Sequence, residues 1–252
     1  MSGGREVAYS DSTQGGTVMR PVRHLALVVV CAVAMATLVT LPASADALNP
    51  GVVGVKRQVL GKTYAEWSAA WWRWVLRTPF ETGGPFDSGT VDCVDKQPSR
   101  KVLFLTAPFN TSGSVQRTCK QPLVPGTDIF FPLLTVECSD VEEAPFHGDT
   151  PAERRACVHQ SLFNMADLHA KVDGQAITHL RHYDITSGDF GFTAVPGNPG
   201  IAVAVVTRGN STSRGIWLML KPLPRGEHTI RFGGSFPNFP FTISAVYHLT
   251  VR

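Results

Sequence analysis

Histidines and acids are the side chains that hold a metal or move a proton near neutral pH. His179-Leu-Arg-His182 with Asp184, and His169 just upstream, form the densest group of them in this chain. Imidazole and carboxylate are ordinary ligands of zinc or iron. On a strand, residues three apart point to opposite faces, so His179 and His182 share an ion only if the segment is helical or bulged. His182 and Asp184 share a face, and His169 on a partner strand joins them, so His169, His182 and Asp184 are the candidate metal ligands. The spacing argues against them, since neither a His-Glu-x-x-His pattern nor a cysteine pair at metal spacing occurs. The expected set is therefore no metal and no cofactor. Glu137, Glu142 and Glu143 are neighbouring acids of the kind a glycosidase sets roughly 5–9 Å apart across its substrate. Neighbouring acids in a loop are far more often solvated. There is no Gly-x-Ser-x-Gly elbow and no glycine-rich phosphate loop, so no catalytic residue is assigned.

Aromatic rings are the other possible instrument. Four of the five tryptophans fall between Gly61 and Pro79. Tyr64, Trp67, Trp71 and Trp74 recur at helical spacing on one face, a pattern that is usually spent on a core. Trp72 lies well round the helix from that face. Trp72, with Trp67 and Trp71 beside it, is the candidate ligand-binding surface, and the loop from Gly83 to Asp92 is where a partly exposed Trp72 would meet a ligand.

The elements that must position these residues begin with an export signal. Arg20 and Arg23 precede an apolar run from Leu25 to Leu41, closed by Pro42-Ala43-Ser44-Ala45, which reads as a secretory signal with an Ala-x-Ala site over residues 1–45. Residues 1–18 are an unusual extension, and Met19-Arg20 makes a more ordinary beginning. The run is slightly short for a membrane span of about 20 residues, so no transmembrane segment is expected after cleavage. Cleavage removes Cys31 and leaves Cys93, Cys119, Cys138 and Cys157 in residues 46–252. An even count in an exported chain reads as two disulfides, and four cysteines allow three pairings. Cys93 with Cys119 and Cys138 with Cys157 is the preferred one, because each pair closes a moderate loop. A net charge of +3 over 252 residues, with both signs interspersed, carries no nucleic-acid footprint.

Thr63 and Glu66 make a capping box, and Pro79 stops the helix they open, giving a helix over about 63–77. Thr150-Pro151-Ala152-Glu153 opens a second, over about 151–165. Elsewhere short strands alternate with turns. Val102–Ala107 and Asp128–Val136 are apolar strands, the latter interrupted by Pro132 at an edge or bulge. Leu168–Val172 turns at Asp173-Gly174 into a return strand from about Ala176 to Ile185. Ile201–Thr207, Ile216–Lys221, His228–Phe232 and Phe241–Val251 complete the set, with Asn210–Gly215 as one of the turns. Regular spacing of short strands predicts a mainly β protein, a β-sandwich or jelly-roll-like domain over 46–252 with two packed helices.

Gly61-Lys-x-Tyr-x-Glu-Trp-Ser-x-x-Trp-Trp-x-Trp74, Phe130-Phe-Pro-Leu-Leu-x-x-Glu-Cys138, Pro222-Leu-Pro-x-Gly-x-His-Thr-Ile230 and Tyr247-His-Leu-Thr-Val251 together resemble a family of uncharacterised secreted bacterial proteins. The resemblance covers most of 46–252. It implies a bacterial, exported, single-domain protein and carries over no activity. The functional expectation is an exported, non-catalytic β-sandwich that binds an unknown ligand or a cell-envelope partner, or serves a structural role. The alternative is a secreted hydrolase or metal-dependent enzyme with a site assembled from scattered His, Asp and Glu residues.

Overall fold

A computed structural model describes Asn49 and residues 51–252. The expected signal and Cys31 lie outside those residues. The first helix, α1 (Tyr64–Arg77), starts where the capping box places it: the Glu66 N–H donates to Thr63 Oγ1 at 3.3 Å, and the Thr63 N–H donates to Glu66 Oε2 at 2.8 Å. Thr78 N–H still reaches the Val75 carbonyl at 3.2 Å, and Pro79 ends the run. Nine of its residues are buried, Trp72 and Leu76 included, so the helix is covered on far more than one face. The second, α2 (Pro151–Val158), has the same capping box, built from Thr150 and Glu153. It is shorter than the expected 151–165; a separate 3-10 turn at Ser161–Phe163 occupies the rest.

The strands among the described residues are β1 (Gly89–Val91), β2 (Val102–Phe104), β3 (Gly113–Cys119), β4 (Asp128–Ser139), β5 (Ala166–Val172), β6 (Gln175–Ala176), β7 (Asp184–Thr186), β8 (Phe190–Ala194), β9 (Thr207–Leu220), β10 (Gly226–Phe236) and β11 (Phe241–Val251). They form a six-stranded sheet in the order β1-β3-β11-β10-β5-β6 and a five-stranded sheet in the order β2-β4-β9-β7, with β8 pairing on β9 as well. The fold is a β-sandwich with two helices, as the strand spacing predicts.

The aromatic residues show how the layers stack. Along β4, Phe131 faces Phe232 of β10 across the sandwich, with ring centroids 4.4 Å apart. Its neighbour Phe130 points the other way, where Trp217 stacks on it at 5.1 Å and Tyr64 and Trp67 of α1 close over it. Strand β4 is thus buried on both faces, which is why Ile129-Phe-Phe-Pro-Leu-Leu134 reads as an unbroken apolar run. Pro132 sits where the β4–β9 register shifts, so a bulge absorbs its missing N–H. Asp173 and Gly174 both have positive φ, 50° and 81°, as a two-residue hairpin turn between β5 and β6 requires.

Three expected elements differ. Asn210–Gly215 is not a turn but the middle of β9, paired through Ser211–Gly215 with β4 and through Ser211 and Asn210 with β8. Ile201–Val206 is not a strand. The Asn198 side chain there accepts from the Ile201 N–H and donates to the Ile201 carbonyl, both at 2.8 Å, and so uses groups a ladder needs. The return strand after β5 is two short pieces, β6 and β7, because a 3-10 turn at Leu180–Tyr183 separates them.

The cysteines pair Cys93–Cys119 and Cys138–Cys157. No helix among the described residues is long and apolar enough to cross a membrane.

Candidate ligand-binding site

A cavity of about 310 Å³ opens between α1, the far end of β4 and the β10–β11 turn. Six aromatic rings line it: Trp72, Phe146, Phe163, Phe236, Phe239 and Phe241. Thr135, Val136 and Glu137 enter from β4, Glu142 from the loop that follows, and Asn110 and Gly200 close one side.

Each wall is fixed by an identifiable contact. Trp72 Nε1–H donates to Thr135 Oγ1 at 3.1 Å, and the Thr135 hydroxyl donates in turn to the Arg214 carbonyl at 3.0 Å. Asn110 Nδ2 donates to the carbonyls of Pro199 and Gly200, both at 3.1 Å. Gly200 lies so close to α1 that a Cβ there meets Leu76 Cδ2 at 2.9 Å, which explains the glycine. Phe146 stacks on Phe163 at 5.4 Å, and Phe239 meets Phe146 edge-on at 6.1 Å. The turn carrying Phe239 is tied down by Asn238, whose amide donates to the Ser161 carbonyl at 2.8 Å.

Residues 139–148 fold back on the end of β4, with Ser139 N–H on the Phe146 carbonyl at 2.9 Å and Gly148 N–H on the Ser139 carbonyl at 3.0 Å. The Cys138–Cys157 bond joins the root of this loop to α2. Buried Arg154 of α2 binds the Gly148 and Asp149 carbonyls and pairs with Asp189 at 2.7 Å. The loop thereby carries Glu142 back beside Glu137, and both line the same cavity. The far side of each is occupied by a hydroxyl: Ser211 Oγ donates to Glu137, and Ser139 Oγ to Glu142 at 2.9 Å. Burial pushes both carboxyls above the usual carboxylate range, Glu137 well above it, and the adjacent Glu142 charge raises Glu137 further. Two such neighbouring carboxyls titrate as a pair, and Glu137, only 4% exposed, is the deeper of the two.

The sign of the pH effect follows. A carboxyl raised in the folded state binds more protons folded than unfolded, so stability is full below the ordinary carboxyl range. It falls as pH rises through that range toward the folded values. Glu142, Asp140 and Ser211 are the groups acting most strongly on Glu137, and Asp128 on the same strand is raised by burial and works in the same direction. Glu137→Gln is expected to flatten the fall as pH rises above the ordinary carboxyl range. Urea midpoints of both proteins at each pH check this, and parallel curves would refute a raised Glu137 carboxyl.

The other candidate residues are not gathered here. Trp67 and Trp71 belong to the core: their indole N–H groups donate to the Val59 and Leu105 carbonyls at 3.0 and 2.9 Å, and Trp71 is 1% exposed. Trp67 packs on Phe104 and Phe130, and Trp71 on Phe109, Trp72, Trp74 and Trp217. Trp72 does line the cavity, yet not beside the Gly83–Asp92 loop; that loop meets Trp74 instead, through Phe86 at 5.1 Å. His169 is exposed and bonded to the Asp167 carbonyl at 3.0 Å, and His182 is exposed. Asp184 gives both oxygens to Arg214, at 2.9 and 2.6 Å. Among the described residues no three His, Cys, Asp or Glu side chains gather in metal-binding geometry. Glu66 is spent on the α1 cap.

Glu137 and Glu142, named from the sequence as neighbouring acids and set aside as solvated, are the pair that the fold places in the cavity. One signal for it was present: Glu137 stands in an apolar strand next to Cys138, where a solvated acid has no reason to be. Glu143, by contrast, is exposed. Set against models of protein families, curated proteins and solved structures, the chain matches none of them.

Proposed function

We propose that this is an exported bacterial β-sandwich protein, acting as a single domain at or outside the cell surface, that holds a small ligand in the aromatic cavity beside Trp72. One observation carries the reading: a concave site of about 310 Å³ in which six rings surround one pair of carboxyls. Such a combination of apolar wall and few convergent polar groups is what small-molecule sites are made of. Two disulfides accord with an oxidising compartment. The Arg20-to-Ala45 signal pattern and the family resemblance point the same way.

The test is a thermal-shift screen of the purified 46–252 protein against glycans, lipids and small aromatic compounds. A ligand that binds only the folded state stabilises it by about 2.7 kcal/mol at a hundred times its dissociation constant. Phe239 is 37% exposed at the mouth, so Phe239→Ala is expected to fold and to lose most of the shift. A ligand that shifts wild type and Phe239→Ala equally binds elsewhere and overturns the reading.

The paired carboxyls favour a second reading, a secreted hydrolase in which one carboxyl gives a proton to the leaving group while the other takes one from water. Burial raises both carboxyls, and a pair of acids that titrates together is the analogy. Hydrolysis of a chromogenic ester or peptide panel, abolished by Glu137→Gln and by Glu142→Gln alike, would shift the balance to it.

A further inference from the structure

The chemical class of the guest follows from what the cavity lacks. Its only charged lining groups among the described residues are Glu137 and Glu142. Both are acids, so whatever charge the pair carries is negative. The groups acting most strongly on Glu137 are Glu142, Ser211 and Asp140, none of them a cation. Two basic groups stand near, and both are engaged elsewhere: Arg154 with Asp189 at 2.7 Å and the Gly148 and Asp149 carbonyls, and His147 through Nδ1 with the Glu142 carbonyl at 2.7 Å and through Nε2 with Asp149 at 3.2 Å. A half-enclosed carboxylate whose side-chain partners are neutral hydroxyls is costly, and the protein tolerates it here.

The walls point to the same missing charge. An aromatic ring is negative on its face, so rings that turn a face to a cavity attract a cation. Trp72, Phe146 and Phe239 come from three separate segments, α1, the loop after β4 and the β10–β11 turn. Their convergence on the carboxyl pair is a property of the tertiary fold and not of one element.

We infer that the cavity takes an organic monocation, an ammonium group on an apolar body, with the charge against Glu142 and Glu137 and the body among the rings. The inference rests on the ligand-binding reading of this cavity. An ammonium supplies the donors that the free carboxyl lone pairs accept, and its charge cancels that of the pair. A neutral alcohol of the same shape supplies one donor and no charge. A carboxylate of the same size adds a second negative charge beside the first.

Three probes of nearly one shape separate these cases: 2-phenylethylamine, 2-phenylethanol and phenylacetate, titrated into the folded 46–252 protein at pH 7 and followed by NMR. The amine is expected to bind about tenfold or more tighter than the alcohol, from charge pairing and cation–π attraction together, and phenylacetate to show no binding. Glu142→Gln is expected to bring the amine down to the alcohol's affinity and leave the alcohol unchanged. Amine and alcohol of equal affinity, or a preference for phenylacetate, overturn the inference while the ligand-binding reading stands. Absence of binding by all three overturns the inference, and the Phe239→Ala comparison decides the broader reading separately. The three wild-type affinities need no variant, so they decide the matter even where Glu142→Gln fails to fold.

Discussion

Trp71→Ala is expected to cost about 3–5 kcal/mol, the range of large-to-small changes at buried aromatic sites. For a protein of this size that corresponds to a drop on the order of 10 °C in melting temperature. The ring is stacked on Phe109 at 5.8 Å and meets Trp217 and Trp72 edge-on, both at 5.3 Å. Its removal opens a cavity in the layer between α1 and the five-stranded sheet. It also strips the Leu105 carbonyl of the indole N–H that donates to it, and an unpaired buried carbonyl adds about 1–3 kcal/mol of its own. Trp71→Phe separates the two contributions, since it retains a ring and loses the donor. Urea unfolding measures both, and a loss for Trp71→Ala within about 1 kcal/mol, well under the packing range, is incompatible with a core role.

A comparable loss is expected at Arg117, by a different route. This side chain is 1% exposed on β3, and among the described residues no carboxylate lies within ion-pair distance. Its guanidinium instead donates to the Asp87 and Thr106 carbonyls, both at 2.6 Å, to the Phe86 carbonyl at 2.8 Å and to the Tyr247 hydroxyl at 2.8 Å. Two of those acceptors belong to the Gly83–Asp92 loop, so the arginine ties Phe86 and Asp87 to β3 and β11, beside the β1–β3 pairing and the Cys93–Cys119 bond. Arg117→Leu is expected to cost about 3–5 kcal/mol, because four buried acceptors lose charged donors at once. Arg117→Lys is expected to recover little, since one ammonium cannot span a fork built for a planar group. Hydrogen exchange should report the loss locally, with residues 83–92 opening in the lysine variant ahead of β4 and β9. A lysine variant within about 1 kcal/mol of wild type, with that loop still protected, would show that geometry matters less than charge.

Helix starts, the hairpin at Asp173-Gly174 and the bulge at Pro132 were legible in the sequence because each is decided by residues within a few positions. The course of β9 was not. Asn210-Ser-Thr-Ser-Arg-Gly215 has the composition of a turn, and it becomes strand only because its buried hydroxyls find acceptors that are distant in sequence. Ser211 reaches Glu137 and the Cys138 carbonyl, and Thr212 reaches Asp189. Gly215 is required for a similarly remote reason, since a Cβ there comes within 2.6 Å of the Leu134 carbonyl. The same limit applies to the site. Trp72 was picked out by its place on the helical wheel. Glu142 looked like its exposed neighbour Glu143, and only the fold of the loop distinguishes them.

The lengths of the strands bear on how copies of the chain behave toward one another. Long strands β4, β9, β10 and β11 lie inside their sheets. The outer positions are held by β1 and β6 in one sheet and by β2, β7 and β8 in the other, of three, two, three, three and five residues. Unpaired N–H and C=O groups on an outermost strand are a template on which another chain can add itself. Here each outermost strand is two to five residues long, and two separate pieces divide the free side of β9. A protein so rich in strand and buried aromatic surface thus offers only short outermost strands on which copies can begin to zip together.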